Sequence, residues 1–198
     1  MKLIIAVIMA FSTLFISCSE ENKQTPPPAP AGKSDVELLR EKIAADPRDT
    51  TALFHLADMY ERMTMYREEI DTLKKIIAVK PDTGYAYFKL GAAYNRLGQH
   101  QEAVSHYLKA TKYPPQQPML YNNLAVSYGK LGKVDEEIAA LRKAISLRPK
   151  YAIARMNLGF ALFKKGDRKA ALEQYEALKL MDEGAAVSLK KEIDGKRK

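Results

Sequence analysis

The feature that most limits what this chain can become is a 34-residue period. Tyr87, Leu90, Gly91 and Tyr94 fall onto Tyr121, Leu124, Ala125 and Tyr128 one period later. A second step reaches Arg155, Leu158, Gly159 and Leu162, and one step back reaches Leu53, Leu56, Ala57 and Tyr60. Gly98, Gly132 and Gly166 are in step, with Thr64 where the first glycine should stand. Within a period the apolar residues recur at spacings of three and four, which predicts an amphipathic helix. The glycine stops it, and a second apolar stripe follows (Leu73, Tyr107, Leu141 and Tyr175 in step) before Pro81, Pro115 or Pro149. Repetition on this length scale means helix pairs that bury their faces against their neighbours.

The pattern aromatic-x2-Leu-Gly-x2-Tyr, then Ala-x3-aromatic, then Pro, resembles the tetratricopeptide repeat. The resemblance implies an all-α, right-handed α-solenoid of four helix-turn-helix repeats, at residues 50–83, 84–117, 118–151 and 152–183. Gly91 and Ala103 are the small residues expected where two helices of a repeat approach. Glu69 and Glu137 replace that alanine in the first and third copies, and they are expected to be ordinary helix-start acids at slightly wider crossings. Residues 34–47 are in register with a second helix that lacks its first, so they are expected to form an N-terminal cap. Ser34 or Asp35 would begin it, and Val36, Leu38, Leu39 and Ile43 would be its apolar side. Residues 184–194 are expected to close the other end through Ala185, Val187, Leu189 and Ile193.

The start of the chain has a different character. Lys2 precedes an apolar run from Leu3 to Ile16, too short for a hydrocarbon core but suited to a signal peptide over residues 1–17. The single cysteine of the chain, Cys18, closes it. Leu14-Phe15-Ile16-Ser17-Cys18 resembles the lipobox of bacterial lipoproteins, which implies acyl chains on Cys18 and, with Ser19 next, an outer-membrane destination facing the periplasm. An ordinary secretory peptide with an incidental cysteine is the competing reading. Residues 18–33 carry four prolines and little apolar bulk, as a tether would.

No enzyme is expected. Phosphate loops and nucleophile elbows are absent from the sequence. The three histidines, His55, His100 and His106, lack metal-pair spacing and are expected on the surface or in the groove, so neither a metal nor a cofactor is implied. Residues 139–198 hold fifteen Lys/Arg against seven Asp/Glu, which accounts for the whole net charge of +8. Export argues against nucleic acid as the partner, leaving anionic cell-wall polymer or lipid as an alternative ligand of that basic surface.

In a stack of such repeats the first helices line the concave side. The expected partner is a protein or peptide segment held there by Phe54, His55, Phe88, Lys89, Asn122, Asn123, Met156, Asn157 and Phe160. Asn123 and Asn157 are in register and would form two rungs gripping peptide backbone, with His55 and Lys89 in the other two positions. The residues of a carboxylate clamp are not matched. The reading that results is a membrane-anchored adaptor of the cell envelope, in the manner of pilotins or of adaptors for proteases and cell-wall enzymes.

Overall fold

The computed structural model describes residues 33–114 and 116–195. Cys18, the signal peptide and the proline-rich stretch lie outside the described residues. Residues 33–195 are all-helical where ordered into elements: α1 (Asp35–Ala45), α2 (Thr50–Arg62), α3 (Tyr66–Val79), α4 (Gly84–Arg96), α5 (His100–Ala110), α6 (Pro118–Lys130), α7 (Val134–Leu147), α8 (Ala152–Lys165), α9 (Arg168–Lys179) and α10 (Glu183–Gly195). Helices α2–α3, α4–α5, α6–α7 and α8–α9 are the four hairpins. Helices α3, α5 and α7 also pack against the first helix of the next pair, and α9 packs against α10, giving an α-solenoid.

The four turns inside the hairpins are built alike. A backbone N–H reaches back five residues to close each first helix: Met65 to Tyr60, Gln99 to Tyr94, Lys133 to Tyr128 and Asp167 to Leu162, all at 2.9 Å. This closure needs a left-handed residue just before the donor. Gly98, Gly132 and Gly166 supply it at φ of 74°, 74° and 95°, and Thr64 is forced into it at 57°. A β-branched side chain is poorly suited to that region.

Packing inside the hairpins depends on small residues. Ala57, Gly91, Ala125 and Gly159 occupy one position in successive first helices and are all buried. A Cβ on Gly91 would lie 2.5 Å from the Tyr107 ring, and one on Gly159 would lie 2.3 Å from Leu189 of α10. The core follows as two clusters. One joins α2, α3 and α4 through Leu53, Ile70, Leu73, Ile76 and Leu90; the larger runs from α5 to α10.

Helix α5 is three residues shorter than α3 and α7, ending at Ala110. The chain then turns at Tyr113, whose ring stacks parallel on Tyr87 at 5.9 Å and whose hydroxyl donates to the Pro81 carbonyl.

Both end helices differ in detail from the sequence expectation. In α1, Ser34 and Glu37 form a reciprocal capping box, and Arg40 donates to the Tyr60 hydroxyl. Leu38 is half exposed, however, and no residue of α1 is fully buried. In α10 the buried residues are Ala186, Leu189 and Ile193, while Val187 points outward. The buried set is spaced i, i+3, i+7, which turns Val187 to the outer side of the helix.

Thr64→Gly should relieve the left-handed strain, partly offset by glycine's freedom in the unfolded chain, for a net gain of about 0.5–1 kcal/mol. Calorimetry should show a melting midpoint about 2–4 °C higher. An unchanged or lowered midpoint would mean that the turn carries no strain.

Candidate binding groove

The first helices α2, α4, α6 and α8 line one side of the solenoid, and each touches the next through polar side chains. Between α2 and α4, the buried Lys89 ammonium lies 2.7 Å from Asp58 and 2.6 Å from Glu61, with Glu69 of α3 at 3.8 Å. Arg96 joins Glu61 at 2.6 Å. Between α4 and α6, the Ser127 hydroxyl donates to the Asn95 side-chain carbonyl, which also receives His100 Nδ1–H at 2.7 Å. Between α6 and α8, the Asn157 amide donates to the Asn122 carbonyl at 3.0 Å.

Lys89 therefore lies beneath the groove surface, not in a rung exposed to a ligand. Its desolvation would lower its pKa, but hydrogen bonds to Asp58 and Glu61 outweigh that and keep it raised and charged. Glu69, expected as a solvated helix-start acid, is 1% exposed, and its Oε2 has no hydrogen-bond partner among the described residues. Burial pushes its carboxyl up to about 7, against the opposing pull of Lys89. Glu137 is handled differently. Its carboxylate occupies the space that a Cβ on Gly129 would need, and burial raises its pKa while Lys164 opposes. Neither acid could be read from its own neighbours in sequence, because what buries it comes from another helix.

The asparagines are also more engaged than a two-rung ladder requires. Asn157 binds Asn122, the Asn122 amide lies 3.5 Å from the Asn123 carbonyl, and Asn123 neighbours the buried Tyr107 hydroxyl. They form one connected floor in which Asn122 is the buried member. His55 is exposed on α2. His106 is not a surface histidine: it stacks on Tyr94 at 5.1 Å and on Tyr87 at 6.2 Å, and burial lowers its pKa.

Apolar groups surround that floor. Phe54 meets Tyr85 at 5.6 Å, Tyr85 meets Phe88 at 6.3 Å, and Phe88 meets Tyr107 at 6.0 Å. Tyr85, Phe88, Tyr113, Gln117 and Leu120 line a cleft of about 360 Å³. Met156 and Phe160 are half-buried against the larger core. Tyr85, Met119 and Ile153, one per first helix and 34 residues apart, are 52%, 46% and 53% exposed. The structure thus brings Phe54 and Phe88 into one aromatic cluster, joins the three asparagines, and places Met156 and Phe160 on the last first helix. Sequence reasoning missed the Asn95–Ser127–His100 contact and the burial of Lys89. The same 34-residue register could have shown that Arg62, Arg96, Lys130 and Lys164 also form a row, all of them exposed.

Comparison with known families agrees with this geometry. A tetratricopeptide-repeat profile matches residues 51–83, and a TPR-repeat profile matches residues 93–132 and 130–166. The chain belongs to the tetratricopeptide-repeat (TPR) family. No curated protein matches it. Among solved structures, this TPR chain is similar to MamA, with a TM-score of 0.70 and 24% identity over 79% of this chain and 87% of MamA. It is similar to YrrB, described as a TPR protein with an unusual peptide-binding site, with a TM-score of 0.68 and 17% identity over 82% and 95%. A third is PilW, described as a widely conserved type IV pilus biogenesis factor, with a TM-score of 0.69 and 18% identity over 79% and 74%. These likenesses concern the fold.

A carboxyl whose pKa is raised on folding from an ordinary 4.5 to about 7 lowers stability above pH 7. That penalty is relieved as pH falls from 7 towards 4.5, because the folded state then binds the extra proton. Glu69→Gln should accordingly raise the melting midpoint at pH 8 by about 3–6 °C, and the gain should fade by pH 5. A difference that does not vary with pH would show that Glu69 is not held in its neutral form by burial.

Proposed function

We propose that this TPR protein is a non-catalytic adaptor that binds a segment of a partner protein along the side formed by α2, α4, α6 and α8. The observation that carries the reading is the row Tyr85, Met119 and Ile153. Large apolar side chains exposed at one position in three successive repeats form a row, and exposed apolar surface of that sort marks interaction sites. Polar contacts between the first helices support it by giving that patch a fixed floor. The family favours it too, since two proteins of this fold are described as having a peptide-binding site and as a pilus biogenesis factor.

The adaptor is held on the bacterial envelope by lipid on Cys18, at the outer membrane and facing the periplasm. What supports this is the sequence alone: one cysteine closing an apolar run and opening a proline-rich stretch. Two or more acyl chains make such an anchor stable. Metabolic labelling with a palmitate analogue should mark the protein, and Cys18→Ser should lose the label and leave the membrane fraction. Label retained on the variant would refute lipidation at Cys18.

For the groove, partner capture from envelope extract should be compared between the native protein, a Met119→Asp/Ile153→Asp variant and a Lys143→Glu/Lys169→Glu variant. The apolar-row variant should lose the partner by about tenfold or more; the variant with reversed charges on the second helices α7 and α9 should keep it. The opposite pattern would place the partner on the second helices, where basic groups would hold anionic polymer or lipid, with strong salt sensitivity.

A further inference from the structure

We propose that the occupant of this groove is an amphipathic α-helix of a partner protein, with one apolar face and one face of carboxylates, lying across the first helices. The inference rests on the groove being the binding surface. It starts from what each first helix presents. Residues 85, 119 and 153 begin a stripe that continues through positions four, seven and eleven residues later, all on one helical face. The eleventh is a cation each time: Arg96, Lys130 and Lys164, with Arg62 in the same place on α2. The surface thus has an apolar row along one edge and a basic row along the other.

A cation in the last turn of a helix also suits the helix dipole. The dipole alone would accept it at any exposed position of that turn. It does not account for a cation at the same position of all four helices, in three of them on the same stripe as an exposed apolar residue. Two of these cations have internal work, since Arg96 is paired with Glu61 and Lys164 acts on the buried Glu137. Arg62, Lys130 and Lys164 form no ion pair within 4 Å among the described residues.

The dimensions and the floor then choose the form of the occupant. Eleven residues of helix separate the two rows by about 16 Å. With side chains reaching inward from both edges, that width admits a helix of about 10–12 Å diameter touching both. An extended strand would need free amides in the floor to satisfy its backbone N–H and C=O groups. Here Asn122 is buried and accepts from Asn157 at 3.0 Å, so these two amides are turned towards each other. A helix satisfies its own backbone and asks nothing of that floor. Opposite a basic row, its second face must be acidic.

The test uses full-length protein in nonionic detergent and three labelled synthetic peptides of about 20 residues, ~30 Å as a helix, read by fluorescence anisotropy. One has leucines on one face and glutamates on the other. The second replaces the glutamates by lysines. The third keeps the acidic composition but carries two central prolines that forbid a helix. The acidic helix should bind, and the lysine and proline peptides should each bind at least about tenfold more weakly. Lys130→Glu/Lys164→Glu should weaken the acidic helix by about tenfold and favour the lysine peptide, while Lys143→Glu/Lys169→Glu should change neither. Circular dichroism of each variant confirms folding. Equal binding of the proline and helical peptides, still lost in Met119→Asp/Ile153→Asp, would overturn the helix while leaving the groove as the binding surface. Binding indifferent to both groove variants would overturn the groove as well. If the acidic helix does not bind, the inference is wrong.

Discussion

The Tyr107 ring lies where a side chain on residue 91 would have to be, and much of the architecture depends on that vacancy. Close approach at Gly91 lets the α4–α5 hairpin close tightly, and Ala57, Ala125 and Gly159 keep the same buried position small in the other first helices. A filled position would push the two helices apart, and overpacking of this kind typically destabilises by about 1–3 kcal/mol. The vacancy at Gly159 is filled from elsewhere, by Leu189 of α10. The terminal helix is thereby locked on by the device that elsewhere locks a hairpin.

The two surfaces of the solenoid differ in how successive repeats are joined. Within hairpins, and between a second helix and the next first helix, the buried contacts are mainly apolar. Between consecutive first helices they are polar: the Lys89 carboxylate cluster, the Asn95–Ser127 bond and the Asn157–Asn122 bond. Such contacts are directional, so they hold the first helices in register without consuming the apolar groups above them. Tyr85, Met119 and Ile153 remain exposed for that reason. The Lys89 cluster shows the tension in the arrangement. Asp58 and Glu61 satisfy the ammonium, whereas Glu69 is buried with one oxygen unpaired and is the strained member.

Most of the fold was legible in the sequence because a repeat states its geometry four times. The period located the hairpins, and glycines in register located the turns, even predicting that Thr64 would stand in a glycine's place. What was not legible depended on residues that no period relates. Lys89 and Glu69 are twenty residues apart on different helices, and their burial follows from a three-helix junction. His106 reads as a polar face residue until Tyr87 and Tyr94 close over it. Val187 and Ala186 are adjacent, and choosing the buried one needs the rotation of α10 against α8 and α9, which the repeat period does not give. Of the site, the aromatic and asparagine positions were visible as residues facing away from the packing stripe. Their hydrogen bonding to one another was not, since it depends on the distance between repeats.

The central claim is that the first helices form the working surface and the second helices form the support. Hydrogen exchange of the full-length protein, with and without its bound partner segment, tests it most directly. The account predicts added protection in α2, α4, α6 and α8, strongest around residues 119–130 and 153–164, with α3, α5, α7 and α9 unchanged. Protection concentrated in α7 and α9, with the first helices unaffected, would contradict it.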